Sequence, residues 1–596
     1  MNMRVIKRSK LQLVLPLLVA FSLILSACGD VAPTATPVTA APTATTMTEA
    51  AATATTETAA PTEPARAADA GIMTISVAQQ STWIRNFNPF SGDFRFPTIN
   101  GMYEPLMIYN TVKGEIVPWL ANDYKWSEDN KKLTLTLRDD VKWSDGQAFS
   151  ANDVVWTFNM FKETSGLQGR GGQAMFGETA YVDTVTAPNA TTVEFNFKVV
   201  FTPGLYDIIN QVIVPEHVWK DVEDPVKFAN ENPVATGPFT EITRFENQVF
   251  QVEKNPNYWQ PGKPYIQGFR QPAYPGNDQA NLATINGEND YAANFIPDIE
   301  KTYVSKDPEH FGYWFPSVGA TVMLYLNTTR KPFDDVNVRK AISLALDRNQ
   351  IVEIAMYAYT KPADVTGLSD AYPNYKVADP STLGNWTTQN IDEANKMLDA
   401  AGLTKGSDGM RMLDGKKLTY EINVVTGWTD WVSSCEIMAQ NLKAIGIEAS
   451  VKPYDFSAWL DRVQKGDFDM SIGWSSGGAT PYEYYRDQMS QRSIKPLGEA
   501  AGANWHRFTS AKADDLLNQF AATSDAAQQK SIAEQLQQVF ADEAPAVPLF
   551  PGPYWYEYNT TRFTDFPTKD NPYAAGSFFN QGTPEQLIVM TTIKPK

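Results

Sequence analysis

Residues 133–146 read Leu133-Thr134-Leu135-Thr136-Leu137-Arg138-Asp139-Asp140-Val141-Lys142-Trp143-Ser144-Asp145-Gly146, and Ser150-Ala151-Asn152-Asp153-Val154-Val155-Trp156 follows shortly after. The alternation of Leu and Thr over 133–137 has the period of a strand with one face buried. Val141-Lys142-Trp143 is expected to continue it, and Asp145-Gly146 marks a turn. Ser150 followed three residues later by Asp153 has the spacing of a capping box, in which each side chain takes a backbone N–H of the other's segment. A helix is therefore expected to start at Ala151 and to bury Val154 and its neighbours.

The same change of period recurs outward from this unit. Val338, Ala341, Ile342, Ala345 and Leu346 share one helical face, with Asp335 placed to cap that helix. The stretch 512–540 reads as helical, with Leu516, Leu517, Phe520, Ile532, Leu536 and Phe540 as core positions. Strand and helix patterns alternate along the chain, which predicts α/β lobes. Residues 71–596 contain no repeat and no second linker, so they read as one folded unit of several lobes.

The N-terminus has a different character. Arg4, Lys7, Arg8 and Lys10 precede an apolar run from Leu11 to Leu25, and Leu25-Ser26-Ala27-Cys28 follows. The run is shorter than the roughly 20 residues that a spanning helix needs, so it reads as a secretory signal. Leu-Ser-Ala-Cys resembles the lipobox of bacterial lipoproteins, which implies that Cys28 carries lipid. Residues 29–70 are almost entirely Ala, Thr, Pro, Val and Glu, too poor in large apolar side chains to fold, and are expected to act as an extended tether. The chain has only two cysteines, Cys28 and Cys435, so a lipid on Cys28 leaves no disulfide within it. The net charge of −18 argues against nucleic acid and against docking on anionic lipid.

Taken together, several segments resemble the family 5 extracellular solute-binding proteins of ABC transporters, which include peptide, nickel and oligosaccharide binders. The most specific is the block at 133–155 already quoted. Tyr103-Glu104-Pro105-Leu106, Pro118-Trp119-Leu120-Ala121, Thr236-Gly237-Pro238-Phe239 and Asn255-Pro256-Asn257-Tyr258-Trp259 are similar to the family's other segments. So are Asn286-Gly287-Glu288-Asn289-Asp290, Asn327 with Pro332-Phe333-Asp334-Asp335, Val338-Arg339-Lys340-Ala341, Ala345-Leu346-Asp347-Arg348, Gly502-Ala503-Asn504-Trp505 and Val547-Pro548-Leu549. The resemblance implies an α/β, periplasmic-binding-protein-like fold of two lobes, a Venus flytrap, with an extra subdomain in the first lobe. Its expected limits are 71–112 and 235–328 for the first lobe, 113–234 for the extra subdomain, 329–549 for the second lobe and 550–596 for a return to the first. The two crossings are expected near 326–332 and 546–552. The implied role is that of a monomeric, extracytoplasmic receptor, held by its lipid on the outer face of the cytoplasmic membrane, that hands a small molecule to the transmembrane subunits of an ABC permease.

The ligand class has to come from the site. Peptide-binding relatives carry an aspartate shortly after a Gly-Trp, where it pairs with the peptide's amino group. Here Gly473-Trp474 is followed by Ser475-Ser476-Gly477-Gly478-Ala479-Thr480-Pro481-Tyr482, and no acid occurs before Glu483. A buried ammonium without its partner costs several kcal/mol, on the order of 3–5. Nickel fits less well, because His217, His310 and His506 lack ligand spacing. The 473–482 run resembles the loop of the oligosaccharide-binding branch, as in cello-oligosaccharide binders. So do Tyr274-Pro275-Gly276-Asn277-Asp278-Gln279-Ala280-Asn281 and Asn294-Phe295-Ile296-Pro297. Aromatic rings can cover pyranose faces, and amide and hydroxyl side chains can satisfy the rim. The candidate ligand-binding residues are Trp83, Asn88, Asn294, Trp428, Trp474, Ser475, Tyr482 and Trp505. Asn88 reads equally as a turn former within Asn86-Phe87-Asn88-Pro89-Phe90. Trp126, Trp143, Trp156 and Trp259 lie in framework motifs and are expected in the core.

Enzyme motifs are scarce. Gly473-Trp474-Ser475-Ser476-Gly477 satisfies the nucleophile-elbow pattern, with Asp487 and His506 following, but too few residues separate them for the usual intervening elements. No phosphate-binding loop, dinucleotide fingerprint or zinc motif occurs, so no cofactor or metal is expected. The reading is a non-enzymatic oligosaccharide receptor. An oligopeptide receptor is the alternative and a secreted glycan hydrolase the remote one.

Overall fold

The computed structural model describes residues 71–77, 81–91, 96–177, 180–577 and 584–596. Cys28, the apolar run before it and the tether lie outside these residues. Among the described residues no helix is long and apolar enough to cross a membrane.

Three large sheets organise the chain. A seven-stranded sheet runs in the order Phe311–Tyr313, Glu557–Asn559, Tyr291–Ala292, Ile72–Ser76, Gly268–Pro272, Val249–Lys254 and Phe239–Glu246. A four-stranded antiparallel sheet, Ala121–Trp126, Lys132–Leu137, Thr192–Phe197 and Val182–Asn189 in spatial order, belongs to the insertion. Both share one apolar core, in which Ile75, Phe250 and Phe269 meet Leu133, Phe158 and Phe195. A five-stranded sheet, ordered Glu448–Tyr454, Thr419–Val425, Met470–Trp474, Thr321–Leu326 and Val547–Pro551, carries a second core around Leu324, Ile342, Ile422, Cys435 and Leu536.

Lys132–Leu137 buries Leu133, Leu135 and Leu137 on one face, as its alternation requires. Val141-Lys142-Trp143 does not extend the ladder. Trp143 N–H bonds Gln147 O and Lys142 pairs only with Ala148, so the segment folds on itself around Asp145-Gly146. The helix Ala151–Glu163 starts at a complete capping box between Ser150 and Asp153. Asp335 caps the helix Val336–Ala345 by accepting from Asn337 N–H. The stretch 512–540 is two helices, Ala511–Ala521 and Ala526–Glu543, because Asp525 caps a new helix by accepting from Gln528 N–H.

Several of the quoted motifs are fastenings of this framework. Glu104, fully buried, accepts from Trp119 Nε1 at 2.7 Å, Trp259 Nε1 at 3.0 Å and Tyr258 OH at 3.1 Å, so three separate motifs meet on one carboxylate. Burial pushes its pKa up to about 7, against the pull of those donors. Arg339 donates to the carbonyls of Phe333, Asp334, Glu543 and Ala544. Arg348 donates to Ser343, Thr387 and Pro548 without any carboxylate partner. Such buried guanidinium forks hold backbone carbonyls that no regular ladder reaches.

The crossings differ from the expected positions. Thr321–Leu326 belongs to the five-stranded sheet, so the first crossing falls between Tyr313 and Thr321, and the return falls between Pro551 and Glu557. The two crossing segments bond to each other: Trp314 N–H to Tyr556 O, Tyr554 N–H to Pro316 O, Gly319 N–H to Gly552 O and Gly552 N–H to Ala320 O, each at 3.0 Å. A Cβ on Gly319 would stand 2.5 Å from Gly552 O, which is why glycine occupies this close approach.

Candidate functional site

Between the lobes lies a cavity of about 1840 Å³, walled by both lobes and by residues 318–320 and 552–555 of the crossing segments. The second-lobe wall is aromatic. Trp428, Trp431, Phe456 and Trp474 line it, and Trp459 and Trp505 stand behind them. Trp474 closes the strand Met470–Trp474, while Trp428 and Trp431 sit at the start of the helix Thr429–Lys443. Trp428 and Trp431 meet edge to face at 5.0 Å, and Phe456 lies nearly parallel to Trp474 with planes 13° apart. Phe456 is 45% exposed, a large apolar ring left facing solvent at the cavity.

The loop after Trp474 is held rigidly. Ser475 N–H bonds Thr321 O at 2.9 Å, and Tyr325 OH donates to Trp474 O at 3.0 Å. Asp487 accepts from Ser476 Oγ, from Ser493 Oγ and from Nε and Nη2 of Arg486. Gly478 packs against Glu483, whose carboxylate would stand 2.8 Å from an added Cβ.

The first-lobe wall brings Tyr109, Tyr181, Phe201, Tyr206 and Arg170 to the cavity. Arg170 bonds Glu483 of the second lobe at 2.7 Å and Asp207 of its own lobe at 3.4 Å. Burial raises Asp207 to about 6, with the Glu483 charge adding to the rise and Arg170 opposing it. Tyr109 OH also crosses to Ala479 O at 3.3 Å, and Phe201 meets Tyr482 edge to face.

Four lining residues, Ser475, Thr321 and Tyr484 of the second lobe and Asn210 of the first, each carry a buried polar atom with no partner among the described residues. A buried hydroxyl left unpaired costs about 1–3 kcal/mol. Asp430, 6% exposed, also lines the cavity, and burial lifts its pKa to about 6.

Four of the eight candidate residues, Trp428, Trp474, Ser475 and Tyr482, line the cavity. Four do not. Trp505 stands behind Trp474, 5.3 Å away and edge on. Trp83 is a correction: it is 2% exposed and packs on Phe250 in the first-lobe core. Asn88 is another. Its side chain donates to Pro225 O and Phe228 O and accepts from Phe90 N–H, so it ties a turn. Asn294 is buried against Thr284 and Glu557. Among the framework tryptophans, Trp143 is fully buried, whereas Trp126, Trp156 and Trp259 are half-buried against the same core. The sequence reading passed over Trp431, Phe456, Asp430 and Arg170. The cluster Gly427-Trp428-Thr429-Asp430-Trp431 was the available signal, since a glycine before two tryptophans and an acid breaks the apolar run of Val424-Val425 and marks the end of a strand.

The elbow pattern assembles no triad. His506 Nε2 bonds the Gln488 carbonyl, its ring stacks on Tyr325, and burial pushes its pKa down to about 3. It is Ser476, not Ser475, that reaches Asp487. His217 and His310 pair with Asp145 and Asp307, and among the described residues no group of three His, Cys, Asp or Glu side chains could hold a metal ion.

Residues 115–495 match the family described as bacterial extracellular solute-binding proteins, family 5. The chain is 26% identical over 461 residues to the nickel-binding periplasmic protein of Escherichia coli, covering 75% of this chain and 83% of that one. It is 23% identical over 466 residues to the oligopeptide-binding protein OppA of Bacillus subtilis, covering 73% and 80%. Among solved structures, a mannohexaose-bound periplasmic oligopeptide-binding protein from Thermotoga maritima shares the fold with a TM-score of 0.78 at 24% identity, over 89% of this chain and 99% of that one. The oligopeptide-binding protein AppA of Bacillus subtilis in complex with a nonapeptide gives 0.72 at 21% identity, over 88% and 98%. With two α/β lobes, paired crossings and a walled cavity between them, the chain belongs to the family 5 bacterial extracellular solute-binding proteins, the substrate-binding components of ABC importers.

Proposed function

We propose that this chain captures an oligosaccharide between its lobes and delivers it to the permease while lipid on Cys28 holds it at the membrane. The observation that carries the sugar is the cavity wall itself: the rings of Trp428, Trp431, Phe456 and Trp474, with Ser475, Ser476, Asn210 and Asn277 among the other lining residues. Flat apolar rings cover pyranose faces, and hydroxyls exchange hydrogen bonds with the rim without burying net charge. The mannohexaose seated in a protein of the same fold is consistent with this. Ligand that touches both lobes favours the closed form, so binding shifts the population toward closure about the crossings at 314–320 and 552–556.

A peptide ligand is the second reading. It is favoured by the oligopeptide-binding relatives and by Asp430, a buried carboxylate in the cavity wall. Isothermal titration with cello- and manno-oligosaccharides and with mixed di- to pentapeptides separates the two. Saturable sugar binding, with the sugar recovered intact, is expected. Binding of peptides alone would sink the sugar reading, and recovery of shortened sugars would point to hydrolysis.

A further inference from the structure

Asp430 has no assigned task, and its setting restricts what it can do. It opens the helix Thr429–Lys443, is 6% exposed and lines the cavity between Trp428 and Trp431. Among the described residues its carboxylate has no ion pair and no side-chain hydrogen bond; only the backbone N–H groups of Asp430 and Trp431 face it. The other carboxylates of the cavity wall are already engaged. Glu483 is held by Arg170, and Asp487 by Arg486, Ser476 and Ser493. The cations without a carboxylate partner, Lys198, Arg492 and Lys495, are exposed side chains of other segments. Among the described residues the aromatic face therefore carries one desolvated acid with no ionic partner, met only by backbone N–H groups at the start of its own helix.

A carboxylate so placed gains most from a ligand cation, because low local polarity strengthens the pair. The indole rings of Trp428, Trp431 and Trp474 line the same cavity and add attraction for a cation bound there. We propose that Asp430 receives the protonated amine of a hexosamine unit, so that the cleft prefers oligosaccharides carrying free amino groups over neutral ones. The proposal rests on the oligosaccharide reading. A neutral sugar would stack on the same rings, but would leave the acid to hydroxyl donors alone, with a smaller gain.

Titrate the full chain with β-1,4-linked glucosamine tetramer, its fully N-acetylated form and cellotetraose, and with a tripeptide having a free or an acetylated amino terminus. The glucosamine oligomer is expected to bind at least tenfold more tightly than cellotetraose and the N-acetylated form. In Asp430→Asn, whose shape is conserved, that preference is expected to vanish, the glucosamine oligomer losing at least tenfold in affinity and cellotetraose, which gains less from the acid, losing less. Retention of the wild-type melting temperature checks the fold, and Asp430→Glu is expected to restore part of the preference. Three results overturn the proposal: equal affinity for charged and neutral sugars in the wild type, equal loss of all sugars in Asp430→Asn, or a free-amine preference that appears with the tripeptides alone. If no sugar binds at all, the oligosaccharide reading itself has failed. If neutral sugars bind without a charge preference, only the amine proposal has.

Discussion

Trp474 and Trp505 are near neighbours with opposite exposures. Trp474 faces the cavity, whereas Trp505 is 6% exposed behind it. Trp474→Ala removes a ligand platform, and a central aromatic contact of this kind is worth about 2 kcal/mol or more, roughly a 30-fold weakening. Titration of sugar into Trp474→Ala is expected to show that loss with a small change in melting temperature. Trp505→Ala empties a packed position and is expected to lower stability by about 3 kcal/mol or more by cavity formation. The two outcomes exchanged would mean that the cavity wall has been misassigned. Both residues stand beside glycines and asparagines in the sequence, and nothing local distinguishes them. Neighbouring chain, brought in from the strand Thr321–Leu326, decides which one is covered.

At the scale of elements, closure is set by the short helices Arg170–Met175 and Pro481–Met489, which face each other across the cleft. Arg170 to Glu483, Tyr109 OH to Ala479 O and Thr202 Oγ1 to Thr523 O all join the lobes directly. Ligand-free protein should therefore already populate the closed form. Arg170→Ala is expected to increase the ligand-free radius of gyration measured by small-angle scattering, and a double-mutant cycle with Glu483→Gln is expected to give a coupling of about 1 kcal/mol, as the pair is partly exposed. An unchanged radius in Arg170→Ala would show that the pair does not hold the lobes together. Single elements were legible in the sequence: the capping box at Ser150 and the cap at Asp335 are local chemistry. The end of the strand before Val141–Trp143 and the break between the two helices of 512–540 were not. A turn makes the one and a new cap the other, and periodicity alone does not register such breaks.

The whole molecule carries a pH signature. Burial raises Glu104 and Glu585 to about 7 and Glu557 to about 8, so the folded protein holds protons that the unfolded chain releases near its ordinary carboxylate range. Their stabilising contribution is complete below that range and is lost as pH rises through 7 to 8. His506 acts in the opposite sense. Its pKa is pushed down to about 3, so the unfolded chain takes the proton first, and stability is lost as pH falls below roughly 6.5. The melting temperature is expected to be higher at pH 6 than at pH 8, by an amount on the order of a few degrees. Glu557 has one carboxylate oxygen without a partner among the described residues, so Glu557→Gln should raise the melting temperature at pH 8 and narrow the gap. A melting temperature equal or higher at pH 8 would contradict this account.

The sequence by itself determined the kind of protein. Alternating Leu and Thr and a capping box are local patterns that mark α/β elements, and the ordered set of short motifs, through its resemblance to a family, implied a receptor of two lobes. Composition also marked 29–70 as a tether, and the resemblance of Leu25-Ser26-Ala27-Cys28 to a lipobox singled out Cys28 as the expected lipid site. Tertiary structure decided the site. Trp83 and Trp474 are the same residue type in similar polar surroundings, yet one is sealed by Phe250 and the other is left facing a cavity, because burial depends on which distant segment packs above it. The same holds for Asp430: an acid beside two tryptophans is ordinary in a sequence, and it becomes distinctive only where the fold removes its solvent and, among the described residues, brings no cation to replace it.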